Sequence, residues 1–448
     1  MKFLLGSLAA LAMVLAATPA SAQEAAAPVL YRGAVLIDGT GAAARSGAGI
    51  VVEGERIIAL LADDAAAPEG ARVVDVSGLY VLPGLIDTHV HIATPPDNAQ
   101  ARLHLRRWLY SGVTGVRSMA DDTRAVAELA RQARANEIEA PDIAFAALMA
   151  GESFFDDPRT HAAAAGYAPG TAPWMQAITP RTDLRAAVAL ARGTGAGAIK
   201  IYANLPAREV ARITREAHRQ GIAVWAHTAV YPARPSEVVA AGPDVMSHAC
   251  SLAHEGQSRA DHPQTYSART PIDPAPFLNA DNPAVARVAA EMARRGIILD
   301  ATVRIYTEQE RWRVVEASRR PALCTPELSY AMARQAHEAG VRLSAGTDGE
   351  TADDAPYPAL HEELELLVAH TGLTPLEAIQ AATQTAAEAM GAGDEMGVIA
   401  PGRLANLVFV GADPSADISA LRDVRFTLRR GQRFDRSRYD GTADDQTE

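Results

Sequence analysis

Two histidines close an apolar run in Gly84-Leu85-Ile86-Asp87-Thr88-His89-Val90-His91. A strand alternates its side chains, so residues two apart share a face, and two imidazoles so placed can bind one divalent ion of zinc-like character. Further candidate ligands recur in the same setting. His227 ends Ala223-Val224-Trp225-Ala226-His227, His248 ends Asp244-Val245-Met246-Ser247-His248, and Asp348 follows Ser344-Ala345-Gly346-Thr347. Any one of them alone would be read as structural; together, at the ends of separate apolar runs, they point to a shared site. Lys200 adds a different argument. Of the 42 Lys and Arg residues only Lys2 and Lys200 are lysine, so arginine serves nearly every basic position and the lysine kept at 200 reads as chemically required. An amine in its neutral form can add carbon dioxide to become a carbamate, and a guanidinium cannot. The alternative is a buried lysine paired with a carboxylate.

The elements that must position these residues are short apolar strands alternating with helical stretches between about residues 82 and 393. Eight strands are expected, around 85–87, 115–117, 143–148, 198–201, 223–226, 245–247, 297–299 and 341–345. Helices are expected at 207–220 and 326–339, the second with Thr325 as N-cap and Pro326 at its first position. This rhythm predicts an α/β chain folded as a (β/α)8 TIM-type barrel. Strand C-termini all face one mouth of such a barrel, and there the candidate ligands would meet. A doubly wound sheet would call for a glycine fingerprint that is absent. Two long loops, 149–180 and 251–282, suit lids over the mouth. Both chain ends are β-rich: 29–39, 49–60 with a turn at Gly54, 405–410 and 424–428. The expected organisation is a signal peptide over 1–22 and a small β-sandwich built from 23–80 and 396–435. The barrel occupies 81–395 and a flexible tail 436–448.

The order of these motifs resembles the amidohydrolase superfamily, and most of all its prolidase-like and imidazolonepropionase-like members, over nearly the whole mature chain. The family carries H-x-H after the first strand, histidines after the fifth and sixth, and an aspartate after the eighth, often in a turn like Gly346-Thr347-Asp348. Leu373-Thr374-Pro375-Leu376-Glu377-Ala378-Ile379 and Gly397-Val398-Ile399-Ala400-Pro401-Gly402-Arg403 are similar to it as well. The resemblance implies two divalent ions, with zinc the expected metal. His89, His91 and Asp348 would hold the more buried ion and His227 and His248 the more exposed one. Carboxylated Lys200 and a hydroxide would bridge them, with Asp348 also catalytic as the group that moves the proton to the leaving group. The implied reaction is hydrolysis of an amide or peptide C–N bond in a dipeptide, N-acyl amino acid or related amide. Four residues are weaker candidates for substrate contact: His161 by its place after the third strand, Tyr231 as a carbonyl polariser, and Arg234 and Arg304 as carboxylate receivers. Ser247-His248-Ala249-Cys250 departs from the family's I-E-H-G, and the segment after His227 is longer, in Tyr231-Pro232-Ala233-Arg234-Pro235. These departures leave room for a mononuclear cyclic-amide hydrolase, a deaminase-like enzyme or a lactone or ester hydrolase. A non-catalytic periplasmic binding protein is the remote alternative.

The formal net charge of −12 argues against nucleic acid or a polybasic membrane contact as partner and leaves a small-molecule substrate. A homo-oligomer is compatible with everything above. Lys2, the apolar run 3–17 and Ala20-Ser21-Ala22 form a leader cleaved before Gln23, so the mature chain is expected to be periplasmic or secreted and free of membrane. Cys250 and Cys324 are expected to be free buried thiols, because a chain of this size needs no staple.

Overall fold

Runs of small and branched residues, separated by helical segments, form eight parallel strands in the computed structural model, which describes residues 27–316, 321–349, 352 and 354–442. The expected leader, 1–22, lies outside the described residues. The strands are β1 (Leu85–Val90), β2 (Val113–Ser118), β3 (Asp142–Gly151), β4 (Ala198–Ile201), β5 (Ala223–His227), β6 (Val245–Ser247), β7 (Ile298–Asp300) and β8 (Leu343–Ser344). Each pairs in parallel with the next, and the register sets Lys200 of β4 beside Leu148 of β3 and Trp225 of β5. The barrel is nearly closed: β8 meets β1 through the Thr88 N–H donating to the Ala345 carbonyl at 3.0 Å, without a ladder.

Aspartate, asparagine and threonine side chains begin the helices between strands, as their short acceptors dictate. Asp97, Asp183, Asn282 and Thr325 each accept backbone N–H groups of the first turn. The expected helices run from Ala207 to Arg219 and from Pro326 to Glu338. Their apolar faces join the strands' outer residues in one large core, with Leu105, Val210, Met292 and Leu364 fully buried. Both chain ends build one mixed sheet. Its order runs Gln432–Asp435, Val424–Arg429, Leu407–Val410, Tyr80–Pro83, Val29–Leu36, Arg45–Glu53 and Arg56–Ala62, with Arg72–Asp75 also paired to Val29–Leu36. A second core of Tyr31, Ile50, Phe409 and Phe426 holds it, the two Phe rings stacked at 4.3 Å. Of the segment expected as a tail, 436–442 are held in place: Arg106 pairs with Asp440 at 2.5 Å and the Tyr439 ring lies 5.6 Å from Tyr110.

The two long loops are structured rather than open chain. The first carries a 3-10 turn (Glu152–Asp156), a short helix (Pro158–Ala163) and Met175–Ile178, which pairs in parallel with β3. The second carries a 3-10 segment (Ala249–Gly256), another at Tyr266–Ala268 and a short helix (Ala275–Leu278). Its cysteine is not free. Cys250 is joined to Cys324 in a disulfide, Cα to Cα 6.3 Å, correcting the expectation of two thiols. Composition could not reveal this, because the two positions are 74 residues apart in sequence and only the fold brings them together. The bridge ties the lid after β6 to the segment leading into the helix before β8.

Candidate metal centre

At the C-terminal mouth of the barrel the expected ligands meet. His89 Nε2 and His91 Nε2 both lie 3.3 Å from Asp348 Oδ1. Donor atoms of these three residues all fall within 4.8 Å of one another. His248 Nδ1 is 3.6 Å from Asp348 Oδ2, and its Nε2 faces His227 Nε2 at 3.2 Å. Lys200 is completely buried beneath them, with its Nζ 3.4 Å from Ser247 Oγ. No described carboxylate pairs with it, so the salt-bridge reading of this lysine finds no partner. His91 and Asp348 keep 32% and 25% of their side chains exposed, while His227 and His248 are buried.

The electrostatics suit a cation. Burial, with the Arg117 charge nearby, lowers Lys200 to about 7, so its amine is readily neutral. Burial also brings His248 to about 3 and His227 well below its ordinary value, leaving neutral imidazoles with free lone pairs. Burial works the same way on His91, but Asp121 and Asp348 outweigh it and raise that imidazole to about 10. Burial would raise Asp348; the imidazoles of His89, His248 and His91 instead hold it far below the usual carboxylate range. A carboxylate kept ionised among imidazoles, with a buried amine alongside, is a donor set that fits borderline divalent ions.

Buried polar groups orient these side chains. Asp300, at the end of β7, accepts from His89 Nδ1 at 2.7 Å, from Arg117 at 3.1 Å and from Thr88 Oγ1 at 2.8 Å. Arg117 in turn stacks on Trp225 with its Cζ 4.5 Å from the ring centroid. Asp87 accepts from Thr347 N and Oγ1, fastening the turn that bears Asp348 to β1. Thr302 Oγ1 contacts His248 Nδ1 at 2.9 Å. A Cβ at Gly346 would collide with Asp300 Oδ1 and His89 Cβ, so only glycine fits there. His248 and Asp348 both have positive φ, 76° and 48°, a conformation costly for residues with a Cβ and held here by the packing around them.

Asp300, Asp121 and Arg117 were not singled out from the sequence. Asp300 ends an apolar strand just as His227 does, and that shared position was the available signal. Beside the ligands lies a cavity of about 890 Å³, lined by both lid loops and by the helix Arg304–Val315. Tyr231 lines it, buried, its hydroxyl 2.8 Å from His254 Nε2. The other three substrate candidates do not line it. His161 is exposed on Pro158–Ala163. Arg234 points inward, donating to the carbonyls of His254, Glu255 and Gln257 at 2.8–3.0 Å, and so anchors the second lid. Arg304 is buried and paired with Glu362 and Glu308. Both arginines are engaged by internal partners, which a linear reading cannot see. Arg159 and Arg269 stand in the cavity wall instead.

Comparison with known proteins accords with this geometry. The amidohydrolase family model matches residues 80–433. The solved structure of a Xaa-Pro dipeptidase with methionine bound in its active site superposes with a TM-score of 0.70 and 21% identity, covering 91% of this chain and 100% of that one. Among curated proteins, an N-acyl-D-aspartate deacylase of Alcaligenes xylosoxydans xylosoxydans is 49% identical over 67 residues, 15% of this chain and 13% of its own length. An allantoinase of Streptomyces avermitilis is 46% identical over 48 residues, 11% of each chain. The chain thus spans only a small part of the length of these curated relatives.

Proposed function

Since the chain belongs to the amidohydrolase family, a family of metal-dependent hydrolases, we propose that it is an exported enzyme hydrolysing an amide-type C–N bond in a small molecule, with a dipeptide, N-acyl amino acid or related amide as substrate. The observation that carries this reading is the meeting of His89, His91 and Asp348 with His227, His248 and the buried amine of Lys200 at one barrel mouth. In this reading His89, His91 and Asp348 hold one divalent ion and His227 and His248 a second, with zinc the metal that suits the donors. Lys200 would supply a further oxygen ligand as a carbamate, formed when its neutral amine adds carbon dioxide and releases a proton. When bound, such ions supply Lewis acidity toward the scissile carbonyl and lower the pKa of water from 15.7 to about 7.

The protein's own residues do the rest. Asp348, ionised and partly open to the cavity, takes a proton at Oδ from the attacking water and returns it to the leaving nitrogen. Asp300 fixes the ring of His89 through Nδ1, and Thr302 that of His248. Tyr231 lines the cavity beside these groups, its hydroxyl held by His254, and would be the group to polarise the substrate carbonyl.

The test is metal analysis of the purified chain together with a hydrolysis screen of N-acyl amino acids, dipeptides, lactones and cyclic amides after zinc addition. A pair of ions per chain and cleavage of the first two classes are expected. One ion per chain with cyclic-amide turnover would favour the mononuclear alternative, and a chain that binds ligands without turnover would overturn the enzyme reading. Export is checked by the mass of the mature chain, expected to begin at Gln23.

A further inference from the structure

Arg269 stands in the cavity wall with its Cζ 3.2 Å above the Tyr266 ring, and its Nε donates to the Tyr266 carbonyl at 2.7 Å. That bond uses the inner edge of the guanidinium, and its other nitrogens lie close to the Tyr231 and Tyr266 side chains in the cavity wall. Among the described residues it pairs with no carboxylate, unlike its neighbour Arg159, which grips Asp157 through two bonds of 3.0 and 2.7 Å. The Tyr266 ring lies 6.4 Å from the candidate ligand His227, so one aromatic ring separates this cation from the metal centre. Burial would raise the Tyr266 phenol, yet Arg269 and Arg159 bring it below its ordinary value, a sign that this wall favours negative charge. A half-buried guanidinium held by no direct ion pair is costly, although Asp157 is close enough to feel its charge, and in a chain of net charge −12 acidic partners are not scarce. Phe154, Tyr202 and Tyr306 complete an aromatic surround. A planar fork of donors matches a carboxylate geometrically, and aromatic walls favour a ring or bulky apolar group beside it.

We propose that Arg269 is the specificity-determining residue of this site, receiving a carboxylate of the substrate while the aromatic surround takes the adjoining apolar group. The substrate class is therefore an anionic N-acyl compound with an aromatic or large apolar side chain. The inference rests on the amide-hydrolase reading for the bond cleaved, but the anion subsite itself does not.

N-acetyl-DL-phenylalanine and N-acetylphenethylamine share ring and amide and differ in the carboxylate, so the metal-loaded full chain is tested with both, by calorimetric binding and by turnover. The acid should bind roughly tenfold or more tightly than the neutral amide, the worth of a charge-assisted pair. Arg269→Gln should remove that preference, leave the neutral compound within about twofold, and leave metal content and melting temperature unchanged. Arg269→Lys should restore part of it, as a charge without the fork. Equal weakening of both ligands, or acid binding indifferent to Arg269, would overturn the proposal. If Arg269-dependent binding holds and neither compound is cleaved, the anion subsite stands and the amide-hydrolase reading fails. If the acid is cleaved equally well with and without Arg269, the amide-hydrolase reading stands and the anion subsite fails.

Discussion

The ligand cluster and the cavity wall beside it are built on opposite principles. Candidate ligands project from strand tips whose backbones are locked in the barrel, and several are oriented by a second buried group, as His89 is by Asp300 and Asp348's turn by Asp87. The wall comes from two lids, tied down at a few points: the disulfide at Cys250, the three carbonyls gripped by Arg234, and Asn204 Oδ1 accepting from Tyr266 N at 2.7 Å. A rigid cluster suits bond-breaking chemistry that needs fixed geometry, while loops can change what is recognised without touching it. The contrast teaches that, under the proposed function, chemistry and specificity are carried by separable parts of this chain.

Lys200 offers the harshest test of the cluster. Replacing it with Ala or Arg should remove most bound metal and lower turnover by about a hundredfold or more, beyond what loss of an orienting residue costs. Metal analysis and kinetics read this directly. Near-normal metal in Lys200→Arg would mean that the lysine serves only as a positive charge and that a single ion is held by His89, His91 and Asp348. Short carboxylic acids should partly rescue Lys200→Ala by filling the bridge.

Asp300→Asn is expected to act on the same cluster less severely. It weakens the hold on His89 and leaves Arg117 with a neutral partner, so metal affinity should fall by about 10–100-fold with the fold retained. Titration with a competing chelator measures it. An unchanged affinity would show that the barrel alone orients His89.

The wall should answer differently. Cys250→Ser with Cys324→Ser opens a long covalent loop and should cost about 2–4 kcal/mol of stability by chain entropy, with metal content unaltered. Denaturant unfolding beside metal analysis tests the separation; loss of metal at full folding would join the two regions into one unit. The smallest effect is expected at His161. Exposed and outside the cavity lining, it should tolerate Ala with activity and stability changed by no more than about twofold and 0.5 kcal/mol.

What was legible in the sequence follows the same division. The eight strands, Thr325 as cap and the meeting of His89, His91, Lys200, His227, His248 and Asp348 at one mouth were legible because each rests on a local signal: an apolar run, a cap, or a side chain at a strand end. Strand C-termini share a mouth by topology, so local position was enough to predict that they meet. Contacts between elements distant in sequence were not legible. Asp300 lies 211 residues from the ring it orients, and the disulfide spans 74. Arginines gave the least. Arg234, Arg304 and Arg269 are alike in sequence, all near loops and strand ends, and what separates them is which partners the fold supplies. Arg234 finds three carbonyls and Arg304 two glutamates, while Arg269 is left facing the cavity. Sequence by itself determined the barrel and which candidate ligands share its mouth, because periodicity and strand ends are properties of single segments. Tertiary structure alone decided which charges are satisfied, because a long, flexible side chain takes its partner from whatever the fold brings within reach.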